Sequence, residues 1–135
     1  MKKTNKKGFT IVELVIVIAV IAILSAILIP TFSNLVTKAN KTAALAEAKT
    51  AYTLVTAADY GEDGHLDTKE NDSAAEHSAV TAAGYEYGST AANKSYVKTY
   101  EVVNGACTEF VFYHNNGFKA TLTVATGAWT VEKIA

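Results

Sequence analysis

Apolar positions are spread unevenly along this chain. Residues 9–29 form one long apolar run in which Glu13 is the sole charge. Residues 31–60 follow without Gly or Pro and are rich in alanine, which predicts that a helix continues through them. Together the two stretches predict one helix from residue 9 to about 58, some ~75 Å long at the ordinary helical rise. Pro30 falls inside it and should bend or loosen it locally, because proline removes a backbone donor and crowds the preceding turn.

The distal half carries two apolar faces. Leu45, Ala48, Tyr52 and Val55 share one, while Leu35, Ala39, Ala43, Ala46, Leu54 and Ala57 lie on another. A small domain needs one apolar stripe per helix. The second face then serves contacts between neighbouring subunits, or it is covered by a domain that wraps further round the helix.

Beyond the helix the pattern changes twice. Residues 59–72, "DYGEDGHLDTKEND", are acidic and polar, and residues 73–84 read as a short helix closed by Gly84. From residue 96 the period becomes that of strands. "YVKTYEVV" (96–103), "CTEFVFYH" (107–114), "FKATLTV" (118–124) and "WTVEKI" (129–134) are rich in β-branched and aromatic residues. Turn segments "NGA", "NNG" and "ATGA" separate them. Connections this short predict an antiparallel meander. Phe110, Phe112, Phe118, Leu122, Val124 and Trp129 are the expected face toward the helix, and Tyr85 and Tyr87 could add a short strand. The expected fold class is α+β: a long N-terminal helix whose distal half packs on a four-stranded antiparallel sheet.

The 135 residues suffice for one small domain, and the net charge of −1 hides an asymmetry. Lys2, Lys3, Lys6 and Lys7 precede the apolar run; the rest of the chain sets eight lysines against 13 acids and has no arginine. An acidic, arginine-free body argues against nucleic acid as the primary partner. Cys107 is the single cysteine, so no intrachain disulfide can form.

As a helix, residues 9–29 would span about 31 Å, close to a bilayer core of about 30 Å. The four lysines before it predict a cytoplasmic N-terminus. A cleaved signal peptide has an apolar region of about 7–15 residues, shorter than this one. A plain signal anchor fits the length and the lysines but leaves Glu13 unexplained, since a carboxylate in a lipid-spanning segment costs about 2.5–3.5 kcal/mol. A cut between Gly8 and Phe9 explains it. Phe9 would then carry a free α-amino group one helical turn from Glu13. With subunits stacked at an axial offset, Glu13 of one meets the amino terminus of another. Such a pair fixes register more than it adds strength, because losing one partner leaves an uncompensated charge at about 3–5 kcal/mol. Ala19, Ala22 and Ala26 fall on one helical face, where small residues let apolar helices approach closely, although alanine is common in such helices in any case.

"KKGFTIVELVIVIAVIAILSAILIP", residues 6–30, resembles the N-terminal signature of type IV prepilins and pseudopilins: a basic leader ending in Gly, then Phe, then Glu at the fifth mature position. Thr10 and Pro30 also match. The resemblance implies a leader of residues 1–8 removed by a prepilin peptidase that cuts after Gly8 and methylates Phe9. It implies a transmembrane and polymerisation helix over residues 9–30 and a globular pilin domain over 31–135. It further implies a homo-oligomeric helical filament, an assembly ATPase and a platform protein. The precursor would be a single-pass protein of the cytoplasmic membrane, and the product an extracellular filament. A structural subunit of a type IV pilus is the expected function. A pseudopilin of a secretion or competence system shares every N-terminal feature, and a single-span anchored binding domain that never polymerises is the alternative of another class. Many family members close their last loop with a disulfide, which one cysteine cannot do; disulfide-free subunits are more familiar in Gram-positive bacteria.

No catalytic constellation accompanies these features. His65, His77 and His114 are scattered, and no nucleophile motif or phosphate-binding glycine loop occurs. His114 reads as a polar strand-end residue, Cys107 as a packed small side chain, and the tyrosines as sheet packing. An enzyme is therefore not expected. The acidic stretch allows one cofactor. Aligned with a twelve-residue EF-hand loop, residues 59–70 place Asp59 at position 1, Asp63 at 5, Gly64 at 6, the His65 carbonyl at 7, Leu66 at 8, Asp67 at 9 and Glu70 at 12. Gly61 at position 3 offers no side-chain oxygen, so any calcium would be held weakly. The other reading of the stretch is a solvated acidic loop.

Overall fold

The computed structural model of the chain describes residues 8–61, 66, 73–88 and 94–134. Its elements run α1 (Ile11–Asp59), α2 (Ser73–Ala82), β1 (Glu86–Tyr87), β2 (Tyr96–Val103), β3 (Ala106–His114), β4 (Phe118–Thr123) and β5 (Ala128–Lys133). The chain divides into two units, Met1–Lys38 and Ala39–Ala135. Helix α1 runs through Pro30, and the Thr31 hydroxyl, one residue on, donates to the Ile27 carbonyl at 3.0 Å.

In the second unit α1 supplies one wall of the core. Its buried positions are Ala44, Ala48, Ala51, Val55 and Asp59, recurring at three and four residues as one helical stripe. Leu45 and Tyr52, expected at the centre of that stripe, are half-buried at its margin. Alanines occupy the middle because the sheet presents bulky side chains there: Tyr100, Phe110 and Phe112 are fully buried. On the other expected face Leu35, Ala39, Ala43, Ala46, Leu54 and Ala57 are exposed, so none of the described residues wraps over it.

The sheet has five strands in the order β1-β2-β3-β4-β5, one more than the four expected. The additional strand is β1, two residues long and parallel to β2 with Glu86 opposite Tyr96. The other pairings are antiparallel. Asn104 and Gly105, both at positive φ (53° and 73°), make the two-residue β2–β3 turn between the paired Val103 and Ala106. Asn-Gly suits such a turn because both central residues must tolerate left-handed backbone. The register shifts between Val97 and Thr99 and again between Glu101 and Val102. The first shift places an extra residue, Lys98, in β2, so Val97 and Tyr100 both reach the buried face and Val102 follows by ordinary alternation; the second places its extra residue, Thr108, in β3. None of these three was among the expected core residues. Of those that were, Phe110, Phe112, Phe118 and Leu122 are buried, while Val124 and Trp129 pack half-buried at its edge.

Helix α2 ends in a Schellman motif. The Gly84 amide donates to the Thr81 carbonyl (3.0 Å) and the Tyr85 amide to the Val80 carbonyl (3.1 Å). Gly84 sits at φ +86°, a conformation open to glycine without strain. The turn delivers Tyr85 edge-on to Phe112, with centroids 5.5 Å apart. It also brings Tyr87 back to α2, where its hydroxyl donates to Glu76 at 3.1 Å.

Candidate functional site

The first turn of α1 is built from Thr10 and Glu13. Glu13 Oε2 accepts the Thr10 amide at 2.8 Å and the Thr10 hydroxyl at 2.7 Å, while Thr10 Oγ1 accepts the Glu13 amide at 3.2 Å. Thr10 is thus the N-cap of a helix that starts at Ile11, and Glu13 is the third residue of its first turn. This reciprocal pattern is a capping box, which satisfies amides that a helix start otherwise leaves without partners. The sequence contained the signal, Thr followed three residues later by Glu ahead of an apolar run, yet the reading of Glu13 as a membrane carboxylate passed over Thr10.

Gly8 and Phe9 precede this cap, and Phe9 is 87% exposed. A Cβ built on Gly8 would meet nothing within 4 Å among the described residues, and its φ lies outside the left-handed range. The fold therefore sets no demand for glycine at that position. Along the rest of the first unit the apolar side chains point outward: Ile11, Ile16, Ile23, Leu28 and Phe32 are all more than half exposed. Ala19, Ala22 and Ala26 are exposed as well. Among the described residues this is the one helix long and apolar enough to cross a membrane. Contiguous apolar surface of this extent marks a membrane or subunit contact rather than a solvated face.

The second unit holds its polar groups for structural ends. Asp59, the last residue of α1, is buried and accepts the Tyr100 hydroxyl at 2.7 Å. Burial, aided by that carboxylate, pushes the Tyr100 phenol far above its ordinary range. Asp63, His65, Asp67 and Glu70, the remaining ligands of the expected calcium loop, lie outside the described residues. Leu66 is half-buried against the core, and its amide donates to the Gly105 carbonyl at 3.4 Å. At the other end of the buried stripe, the β3–β4 turn docks on the helix. His114 Nε2 lies 2.7 Å from Glu47 Oε2, His114 Nδ1 accepts the Asn116 amide at 3.1 Å, and Asn116 Nδ2 donates to the Asn40 carbonyl at 2.9 Å. Cys107 is buried, and burial pushes its thiol up to about 12. No three His, Cys, Asp or Glu side chains converge as metal ligands among the described residues.

Comparison with known proteins bears on the same N-terminal segment. Residues 3–29 match the family model described as the prokaryotic N-terminal methylation motif. The chain is also 36% identical over 80 residues to fimbrial protein Q of Moraxella bovis, a stretch that covers 58% of this chain and 51% of that protein. It thus spans about half the length of that curated relative. No solved structure matches the chain. Gly8, Phe9, Thr10 and Glu13 all fall within the matched motif.

Proposed function

We propose that this chain is the structural subunit of a type IV pilus, held in the cytoplasmic membrane as a precursor and polymerised through α1. The observation that carries the reading is the exposed apolar surface of the first unit, within a segment that matches the N-terminal methylation motif. Lipid covers that surface in the precursor. Neighbouring helices replace lipid in the filament, and Ala19, Ala22 and Ala26 offer them a close approach. A prepilin peptidase removes residues 1–8. It requires Gly8 because its site accepts no side chain there, in keeping with the absence of any demand for glycine in the fold. Phe9 is then the methylated amino terminus, and Glu13 pairs with the amino terminus of a neighbouring subunit. An assembly ATPase and a platform protein supply work and guidance. The fimbrial match favours a pilus over a secretion pseudopilin.

Electron microscopy of surface filaments, with mass spectrometry of their subunit, tests this. The expected subunit begins at N-methylated Phe9. Glu13→Ala should enter the membrane at least as well as wild type, since a charge has been removed from the bilayer, and should assemble poorly. Glu13→Val should behave like it. A protein that stays monomeric in the membrane of an intact system would sink the filament reading, and wild-type filament yield from Glu13→Ala would sink the pairing.

A further inference from the structure

We propose that Thr10 is the positioning residue for Glu13: it holds the carboxylate over the first turn of α1, ready for the amino terminus of an incoming subunit. The inference rests on the reading of Glu13 as an assembly residue. Helical side chains lean toward the helix N-terminus, so Glu13 reaches back over its own first turn. There both Thr10 donors end on one oxygen, Oε2, at 2.8 and 2.7 Å. The hydroxyl is used twice, as donor to the Glu13 carboxylate and as acceptor from the Glu13 amide. It therefore couples the side chain of Glu13 to its backbone and selects one direction for the carboxylate.

The coupling matters because of its surroundings. Next to the cap stand Phe9, Ile11 and Val12, whose exposed side chains are apolar and offer the carboxylate no hydrogen bond. In a medium of low polarity a hydrogen bond strengthens, and an unpaired polar group becomes more costly. Without the Thr10 hydroxyl, Glu13 would keep its charge and lose its aim. The Thr10 amide survives removal of residues 1–8, because it belongs to the bond between Phe9 and Thr10. The same cap thus serves the precursor and the mature subunit. Threonine also brings a branched Cβ that restricts its own rotamers, so the hydroxyl is itself held.

The test compares full-length Thr10→Val, Thr10→Ser and Glu13→Ala chains with wild type in an intact assembly system, scoring filament yield per processed subunit. Valine keeps the shape of threonine and removes the hydroxyl; serine restores it. Thr10→Val should lower the yield about fivefold, the scale of an ordinary capping interaction, and Thr10→Ser should recover most of it. In micelles the Glu13 side-chain carboxyl ¹³C resonance should move in Thr10→Val and stay in place in Thr10→Ser. Wild-type yield from Thr10→Val beside a defective Glu13→Ala would overturn the positioning role alone. So would an unmoved resonance, a Thr10→Ser chain as poor as Thr10→Val, or a deficit fully explained by unprocessed precursor. Wild-type yield from Glu13→Ala would overturn the Glu13 reading itself, and the positioning role with it.

Discussion

The two portions of α1 invert the usual relation between hydrophobicity and burial. Between Ile11 and Val36 the helix carries its largest apolar side chains, and they are exposed. Between Ala44 and Asp59 the buried stripe is mostly alanine. The side chains with most to gain from leaving water are those the folded chain leaves uncovered. At about 25 cal/mol per Å² such surface is too costly to present to water, so it belongs to a different medium. The distal stripe meets its own sheet, where Tyr100, Phe110 and Phe112 supply the bulk and the helix supplies room. One portion is shaped for folding, and the other suits the lipid and neighbouring subunits of the proposed function.

This contrast can be broken by matched substitutions. Trp129, the chain's single tryptophan, packs against the core and reports on the second unit alone. Its fluorescence during unfolding of the full chain in micelles separates the two portions. Phe110→Ala should cost the second unit about 3–5 kcal/mol, because it empties a fully buried aromatic position. Ile16→Ala should leave the same transition in place; a comparable loss would show that the first portion contributes to folding. Tyr100→Phe comes next. It strips the Asp59 carboxylate of a 2.7 Å donor and should cost about 1.5–3 kcal/mol, the range of hydrogen bonds to charged groups. Ala48→Leu should cost about 1–3 kcal/mol by overpacking, whereas Ala22→Leu should leave the Trp129 transition unmoved and lower filament yield.

A further test, silent at neutral pH, concerns alkaline conditions. The Cys107 thiol, ordinarily near 9.0, is pushed to about 12 by burial. Between those values the unfolded chain loses this proton and the folded chain keeps it. Its stabilisation is therefore fully present below about 9 and is lost as pH rises toward 12. Cys107→Ala should flatten that part of the stability profile, measured by denaturant unfolding at stepped pH. In the native chain the thiol should also resist alkylation that the unfolded chain accepts. A steep profile retained in Cys107→Ala would assign the alkaline loss to the tyrosines, which burial likewise shifts upward.

Most of this architecture was legible from residue pattern alone. Helix, turns and four antiparallel strands follow from local signals: alanine without glycine or proline, Asn-Gly at a hairpin, and β-branched runs between glycines. What escaped depended on contacts beyond the local window. A short strand at Tyr85 and Tyr87 was legible, but its bounds, Glu86–Tyr87, and its parallel pairing beside Tyr96 are set by its partner rather than by any pattern of its own. Val97 shares a face with Tyr100 and Val102 only because the β2–β3 register shifts between Val97 and Thr99, and nothing in "YVKTYEVV" announces a bulge. At the N-terminus the reverse happened. The Thr10–Glu13 spacing is a local signal in plain view, but an acid in an apolar run points first to lipid and to a distant amine, and only the geometry shows that it also caps its own first turn. The helix–turn contacts of His114 and Asn116 join residues far apart in sequence, and no single-sequence pattern encodes them.

Those contacts, together with Tyr100 on Asp59, fasten the buried stripe of α1 near both of its ends. Neither fastening could survive a slide of the helix by one turn of about 5.4 Å. Alanine packing by itself would resist such a slide weakly, because small side chains present shallow ridges. If the filament carries tension along α1, the load on this domain is a shear that engages both fastenings at once, rather than a peel that takes them in turn. Bonds loaded in parallel share the force, so the domain should yield late and abruptly under pulling.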